Sequence, residues 1–128
     1  MLNQSGITKT VGTAPVQILF NVQNQMSVGV KIAKNFAGAV TENGRKIVKA
    51  GTPLTGDLTA RDTAFTAAGA SDAVGILLHD VDVTDNDANC SLLIWGFVNL
   101  NRIDSTTAAK INTGVKTALA GKVWFLKD

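Results

Sequence analysis

At 128 residues the chain has the length of one domain, and a domain of that size buries roughly two thirds of its unfolded surface without staples. Charged residues make up 17%, against about a quarter in ordinary soluble domains, which suits a protein whose surface is partly covered by partners. The net charge of +2, with lysines scattered at Lys31, Lys34, Lys46, Lys49, Lys110, Lys116, Lys122 and Lys127, argues against the clustered basic face of a nucleic-acid binder. A lone cysteine, Cys90, excludes an intrachain disulfide. No apolar run nears the roughly 20 residues of a membrane helix, and residues 1–12 are too polar for a leader. The chain is expected to be made and assembled in a cytoplasm, with neither nucleic acid nor membrane as partner.

Residues 1–14 read as a flexible N-terminal arm: polar, glycine-containing and poor in apolar groups. Pro15 opens the single domain of residues 15–128. From Val16 the sequence alternates, which predicts a strand with Val16, Ile18, Phe20 and Val22 on one face and Gln17, Asn21 and Gln23 on the other. Residues 24–27 break the pattern, and Val28, Val30 and Ile32 resume it with Lys31 outward. Asn43-Gly44 signals a tight turn needing positive φ at both positions, leading into an extended run at residues 46–49. Gly51-Thr52-Pro53 predicts a turn and a bend, since the proline forces Thr52 out of the helical region. Residues 57–71 read as a loop with at most one helical turn, anchored by Phe65.

Residues 73–83 predict one strand buried on both faces through Val74, Ile76, Leu77 and Leu78. Its end alternates, with Val81 and Val83 opposite Asp80 and Asp82. A polar turn comes next at residues 84–87. Residues 91–100 predict a second apolar strand, hairpin-paired with the first, with Leu93, Trp95 and Phe97 opposing Leu92, Ile94 and Val98. Gly96 within it marks a bulge or a close backbone approach. Asp104 or Ser105 caps one short helix over residues 107–119, which Gly114 weakens by about 1 kcal/mol and can break. Gly121 ends it, and residues 123–126 return as a terminal strand. The fold class is mixed β-rich α/β: a small, compact, β-dominated single domain with one short C-terminal helix.

Chemistry-bearing residues are few. His79, Asp80, Asp82, Asp85 and Asp87 could offer oxygen ligands to Ca²⁺, but the spacing lacks the glycine and terminal glutamate of a calcium loop. A solvated strand edge is the simpler reading, so no metal is assigned. His79 and Asp80 face opposite ways on a strand, and no nucleophile elbow accompanies them. Cys90 opens an apolar run and reads as a small hydrophobe rather than a thiolate. No phosphate-cradling glycine pattern follows a strand. Trp95, Phe97, Trp124 and Phe125 suit core or subunit packing better than a ligand platform. The chain is therefore expected to have no catalytic residue, no enzyme activity and no cofactor.

Three segments occur in order: Ala50-Gly51-Thr52-Pro53-Leu54, then AVGILLHDVDV from Ala73, then CSLLIWGFVNL from Cys90. In this combination, spanning roughly the last two thirds of the chain, the sequence resembles the lambda-type head decoration (capsid-stabilising) proteins of tailed bacteriophages. The resemblance implies a β-tulip-like body that forms a homotrimer. It also implies a function: binding the outer surface of the expanded capsid and bracing the shell. The partners would be the major capsid protein and other copies of the chain, and the location the virion. The region of residues 16–34 is extra relative to the best-known members. The arm carries a β-tolerant pattern, Ile7, Thr8, Lys9, Thr10 and Val11, suited to adding a strand to a capsid sheet edge. These five residues are the candidate capsid-binding site. Two alternatives are the base domain of a phage head fibre and, from a different class, a carbohydrate-binding module. A sugar binder should expose Trp95 or Trp124; a decoration protein should bury both.

Overall fold

The computed structural model describes residues 17–21, 23–34, 36–69 and 71–127. The arm, with Ile7–Val11 as its candidate site, lies outside them, as do Val16 and Val22. Among the described residues, nine strands occur in chain order: β1 (Met26–Ile32), β2 (Val40–Glu42), β3 (Arg45–Val48), β4 (Pro53–Thr55), β5 (Thr66–Ala67), β6 (Gly75–Leu77), β7 (Val81–Asp82), β8 (Ala88–Asn99) and β9 (Val123–Leu126). Between β8 and β9 run a 3-10 turn (Leu100–Arg102) and two short helices, α1 (Ser105–Ala108) and α2 (Thr113–Ala118). The β-dominated single-domain class expected from the sequence is the architecture observed.

The strands form two sheets. The larger has the order β1-β8-β6-β4-β5, with β9 paired in parallel to the second half of β8; the smaller has the order β2-β3-β7. Neighbouring residues on the central strands belong to different cores, because side chains on a strand alternate between faces. Ile76 and Leu93 pack with Ile111, Val115 and Leu119 from the helical segment. Leu77 and Leu92 pack with Val30, Ile32, Val48, Leu54, Phe65 and Val83. The result is three layers: helices, large sheet, small sheet. β6 and the Leu92–Leu93 step of β8 are thus apolar on both faces because the chain itself covers both, so they need no partner.

Several local readings match the sequence. Asn43 (φ 52°) and Gly44 (φ 76°) both take the left-handed conformation that joins β2 to β3. Val30 and Ile32 are buried on one face of β1. Phe65 anchors its loop from within the core, and Asp104 caps α1 by accepting from the Thr107 N–H at 3.3 Å. Val123–Leu126 is the terminal strand.

Others are corrected. The stretch expected as one strand over residues 73–83 is two short strands in different sheets: β6 pairs β8 and β4, while β7 pairs β3. Asp80 fastens the crossing by accepting the Ala50 N–H at 2.8 Å. The β6–β8 pairing is antiparallel as expected, but β7 intervenes, so the unit is not a simple hairpin. Residues 17–21 make a single bridge, Leu19 to Val98, with Ile18 and Leu19 both buried and Phe20 outward, rather than a regular alternating strand. Pro53 opens strand β4, a position that needs no ladder donor. Residues 57–65 contain turns and no helix, and β5 comes directly after them. The expected single helix is two, and the break falls before Asn112, not at Gly114. Asn112 accepts from the Val115 N–H at 3.0 Å and so starts a new helix.

An irregularity in β8 sets which side chains the second half of the strand presents on each face. Ser27 pairs with Leu93 but Met26 pairs with Trp95, so Ile94 is an extra residue on β8. The side-chain alternation shifts by one there. Leu93 and Val98 consequently face the same core, contrary to the expected opposition, and Trp95 and Phe97 turn to the other face. Gly96 sits beside the bulge at φ 156°, and a Cβ there would meet Leu93 at 3.1 Å and Gln25 at 3.2 Å. This is the close approach that its position in the strand suggested.

Candidate interaction surface

Beyond the bulge, the β8 face that the small sheet covers elsewhere is left open. Leu19 pairs with Val98 on one flank of β8, which sets Phe20 beside Phe97; Phe97 pairs with Trp124 of β9 on the other flank. Met26 pairs with Trp95 one step along. Phe20, Met26, Trp95, Trp124 and Leu126 are 47%, 56%, 41%, 38% and 38% exposed. None of them, nor Phe97, belongs to either buried cluster. The expectation that a decoration protein buries both tryptophans is not met within the single chain: neither is a core residue. Phe125, by contrast, points the other way, against the helix-side core.

The rings brace one another. Trp95 meets Phe97 and Trp124 edge-on, each with centroids 6.0 Å apart, and Phe97 stacks on Trp124 at 5.1 Å with 22° between planes. Such pairs add roughly 0.5–1.5 kcal/mol each beyond area burial. Trp124 therefore has one face occupied by Phe97, and the two indoles stand perpendicular. The surface is an apolar block, not a flat platform for a sugar ring. It is also free of charge: no Asp, Glu, Lys or Arg occurs in residues 17–30, 88–101 or 123–126.

The acidic residues lie elsewhere and diverge. Asp82 and Asp85 accept from Arg45 at 2.8 and 3.2 Å. Asp80 and Glu42 share Lys49, each at 3.2 Å, and Asp87 pairs with Lys31 at 3.7 Å. Among the described residues, no three His, Cys, Asp or Glu side chains converge to hold a metal. The hydrogen bond from Arg45, with help from the Thr84 hydroxyl and N–H, holds the Asp82 carboxyl down at about 2. The same bond raises Arg45. Burial pulls Lys49 down, but hydrogen bonds to Glu42 and Asp80 outweigh it and leave it raised. His79 is exposed at the bend between β6 and β7, while Asp80 is engaged with Lys49 and the Ala50 N–H.

Cys90 is half-buried against β1, its thiol donating to the Val30 carbonyl at 3.6 Å, and burial pushes it up to about 11. That is the opposite of an activated nucleophile. An open depression of about 520 Å³ lies by Gly29, Lys31, Arg61, Asp62 and Asp87. Its cations are already engaged, Lys31 with Asp87 and Arg61 with the Gly29 carbonyl at 3.0 Å. No helix among the described residues is long and apolar enough to cross a membrane.

Sequence reasoning named Trp95, Phe97 and Trp124 but missed Phe20, Met26 and Leu126 as their neighbours. It also missed Arg45 as the partner of Asp82 and Asp85, 37 and 40 residues away. No local pattern signals either pairing. The chain matches no family model and no curated protein.

Proposed function

We propose that this protein is a phage head decoration protein: it binds the outer surface of the expanded capsid as a trimer and stabilises the shell. One observation carries the reading. The three segments that resemble the decoration family, in the family's order, include most of β4, all of β6 and most of β8, strands hydrogen-bonded side by side at the centre of the large sheet, together with β7 of the small sheet. The likeness thus falls on contiguous structure, not on scattered loops. A compact body with an open, charge-free apolar face agrees with a protein that works by covering other proteins.

Stabilisation requires no chemistry on this chain. A ligand that binds only one state of a shell favours that state by mass action. The capsid partner is the major capsid protein, and the arm with Ile7, Thr8, Lys9, Thr10 and Val11 is the proposed added strand. The test is co-sedimentation of the purified protein with empty expanded and unexpanded shells of a tailed phage. Pelleting with the expanded shells alone is expected; failure to pellet with either overturns the proposal.

The exposure of Trp95 and Trp124 favours a second reading, a carbohydrate-binding module. Their perpendicular, mutually packed rings weigh against it. Titration of tryptophan fluorescence with oligosaccharides separates the two, since only a sugar binder gives a saturable shift.

A further inference from the structure

We infer that the open aromatic face receives a second copy of this chain in a head-to-tail contact, the acidic loop around Leu58 of one copy seating against it. Only the trimeric state rests on the decoration reading; the contact itself is carried by the distribution of apolar area and charge.

From their exposed fractions, the five side chains present roughly 450 Å² of apolar surface. That is over half of the roughly 800 Å² each partner contributes to a standard interface, and it lacks the charges that interface centres avoid. Beside it runs β9, which pairs only with β8 among the described residues. An apolar edge strand left open is an invitation to pairing.

Charge identifies the occupant. Residues 100–128 carry five cations, Arg102, Lys110, Lys116, Lys122 and Lys127, against Asp104 and Asp128. Lys122 and Lys127 flank β9 directly, and Arg102 donates to the Gln17 carbonyl at 3.4 Å, beside Ile18. A two-fold contact of this face with itself would set those cations against one another. The loop around Leu58 carries Asp57 and Asp62 against Arg61 alone and is net negative, whereas Asp80, Asp82, Asp85 and Asp87 are already paired with Lys49, Arg45 and Lys31. Among the described residues, the remaining exposed large hydrophobe, Leu58, sits in that loop between Asp57 and Asp62. Its loop lies outside β1, tied down by the Arg61 bond to Gly29.

The aromatic face straddles the second half of β8, whereas the Leu58 loop lies outside β1, so the two surfaces are different. Phe97 and Asn99 bond across to Phe20 and Ile18 on the β1 side, whereas Gly96 bonds to Lys122 at β9. A contact between two different surfaces of one chain is heterologous, and heterologous contacts close into rings when the rotation allows. A trimer is one such ring.

The test is sedimentation equilibrium of the full chain without capsids. The wild type is expected to associate to a closed trimer. Trp124→Glu is expected to sediment as a folded monomer, with a lowered melting temperature from the lost ring pairs with Phe97 and Trp95. Should that variant fail to fold, Met26→Lys, at the most exposed of these side chains, takes its place and is likewise expected to sediment as a monomer. The pair Lys122→Glu and Lys127→Glu is expected to weaken association at least tenfold, with recovery when Asp57→Lys and Asp62→Lys are added in the same chain. A wild type that stays monomeric, a Trp124→Glu protein that associates like wild type, or a closed dimer each overturns the inference. A monomer that still pellets with expanded shells would overturn it while leaving the decoration reading intact.

Discussion

Phe65→Ala tests whether the two-core arrangement holds the molecule together. Phe65 is 1% exposed and packs with Ile32, Leu54, Val48 and Leu92 between the sheets. Its own N–H bonds the Lys31 carbonyl at 2.7 Å, fixing the loop of residues 57–65 against β1. The ring lies so close to Gly56 that a Cβ there would come within 2.6 Å of it. Sheets on both sides prevent collapse of the cavity left by truncation, so the loss should reach roughly 3–5 kcal/mol, the range for buried phenylalanine. Against a total stability of about 5–15 kcal/mol, that leaves a folded but much weakened protein. With a urea slope near 2 kcal/mol/M, the midpoint should fall by about 2 M. Urea unfolding followed by tryptophan fluorescence measures this. Thr63→Ala, at an exposed side chain of the same loop, should shift the midpoint by less than about 0.5 M. A loss below about 1 kcal/mol for Phe65→Ala would refute the reasoning, because it would mean the small sheet and loop contribute little to the fold.

The remaining predictions concern charge, the thiol and the arm. Asp82 has a folded pKa of about 2, below its ordinary 3.8. Its contribution is therefore fully present above about pH 4 and lost as pH falls through 2; acid titration of stability should show this limb in wild type and a weaker one in Arg45→Gln. Cys90, held at about 11, should alkylate at pH 8 roughly two orders of magnitude more slowly than a free cysteine, whose thiol ionises near 8.5. Iodoacetamide labelling followed by mass spectrometry checks it, and labelling at the free-thiol rate would contradict the burial. Deleting residues 2–14 should leave the melting temperature nearly unchanged and weaken binding to expanded shells at least tenfold, read by co-sedimentation; wild-type affinity would place the contact on the body.

How much of the fold was legible in the sequence depends on the range of the forces involved. The Asn43-Gly44 turn, the alternation of Val30 and Ile32 and the cap at Asp104 are set within a few residues, and each was legible. The division of residues 73–83 between two sheets was not, because an apolar run buried on both faces reads the same whether its end stays in one sheet or leaves it. Asp80, which secures the crossing to Ala50, looked only like part of an acidic turn. The bulge at Ile94 moves half of β8 by one residue, and a shift of one exchanges faces. That shift turned Trp95 and Phe97 from expected packing residues into an open surface. Phe20 was missed for a related reason: Ile18 and Leu19 are both buried, so alternation from Val16 assigned Phe20 to the wrong side. Arg45 and its two aspartates meet only through the β3–β7 pairing, which no spacing announces.

The measurement that bears most directly on the central claim is the temperature at which empty expanded shells come apart, recorded as the protein is titrated in, with unexpanded shells as reference. Selective binding at a hundred times Kd stabilises each occupied site by about 2.7 kcal/mol. The account predicts a disruption temperature for expanded shells that rises with concentration up to and beyond saturation, and no change for unexpanded ones. Expanded shells that come apart at the same temperature with every site occupied, or both shells stabilised equally, would contradict it.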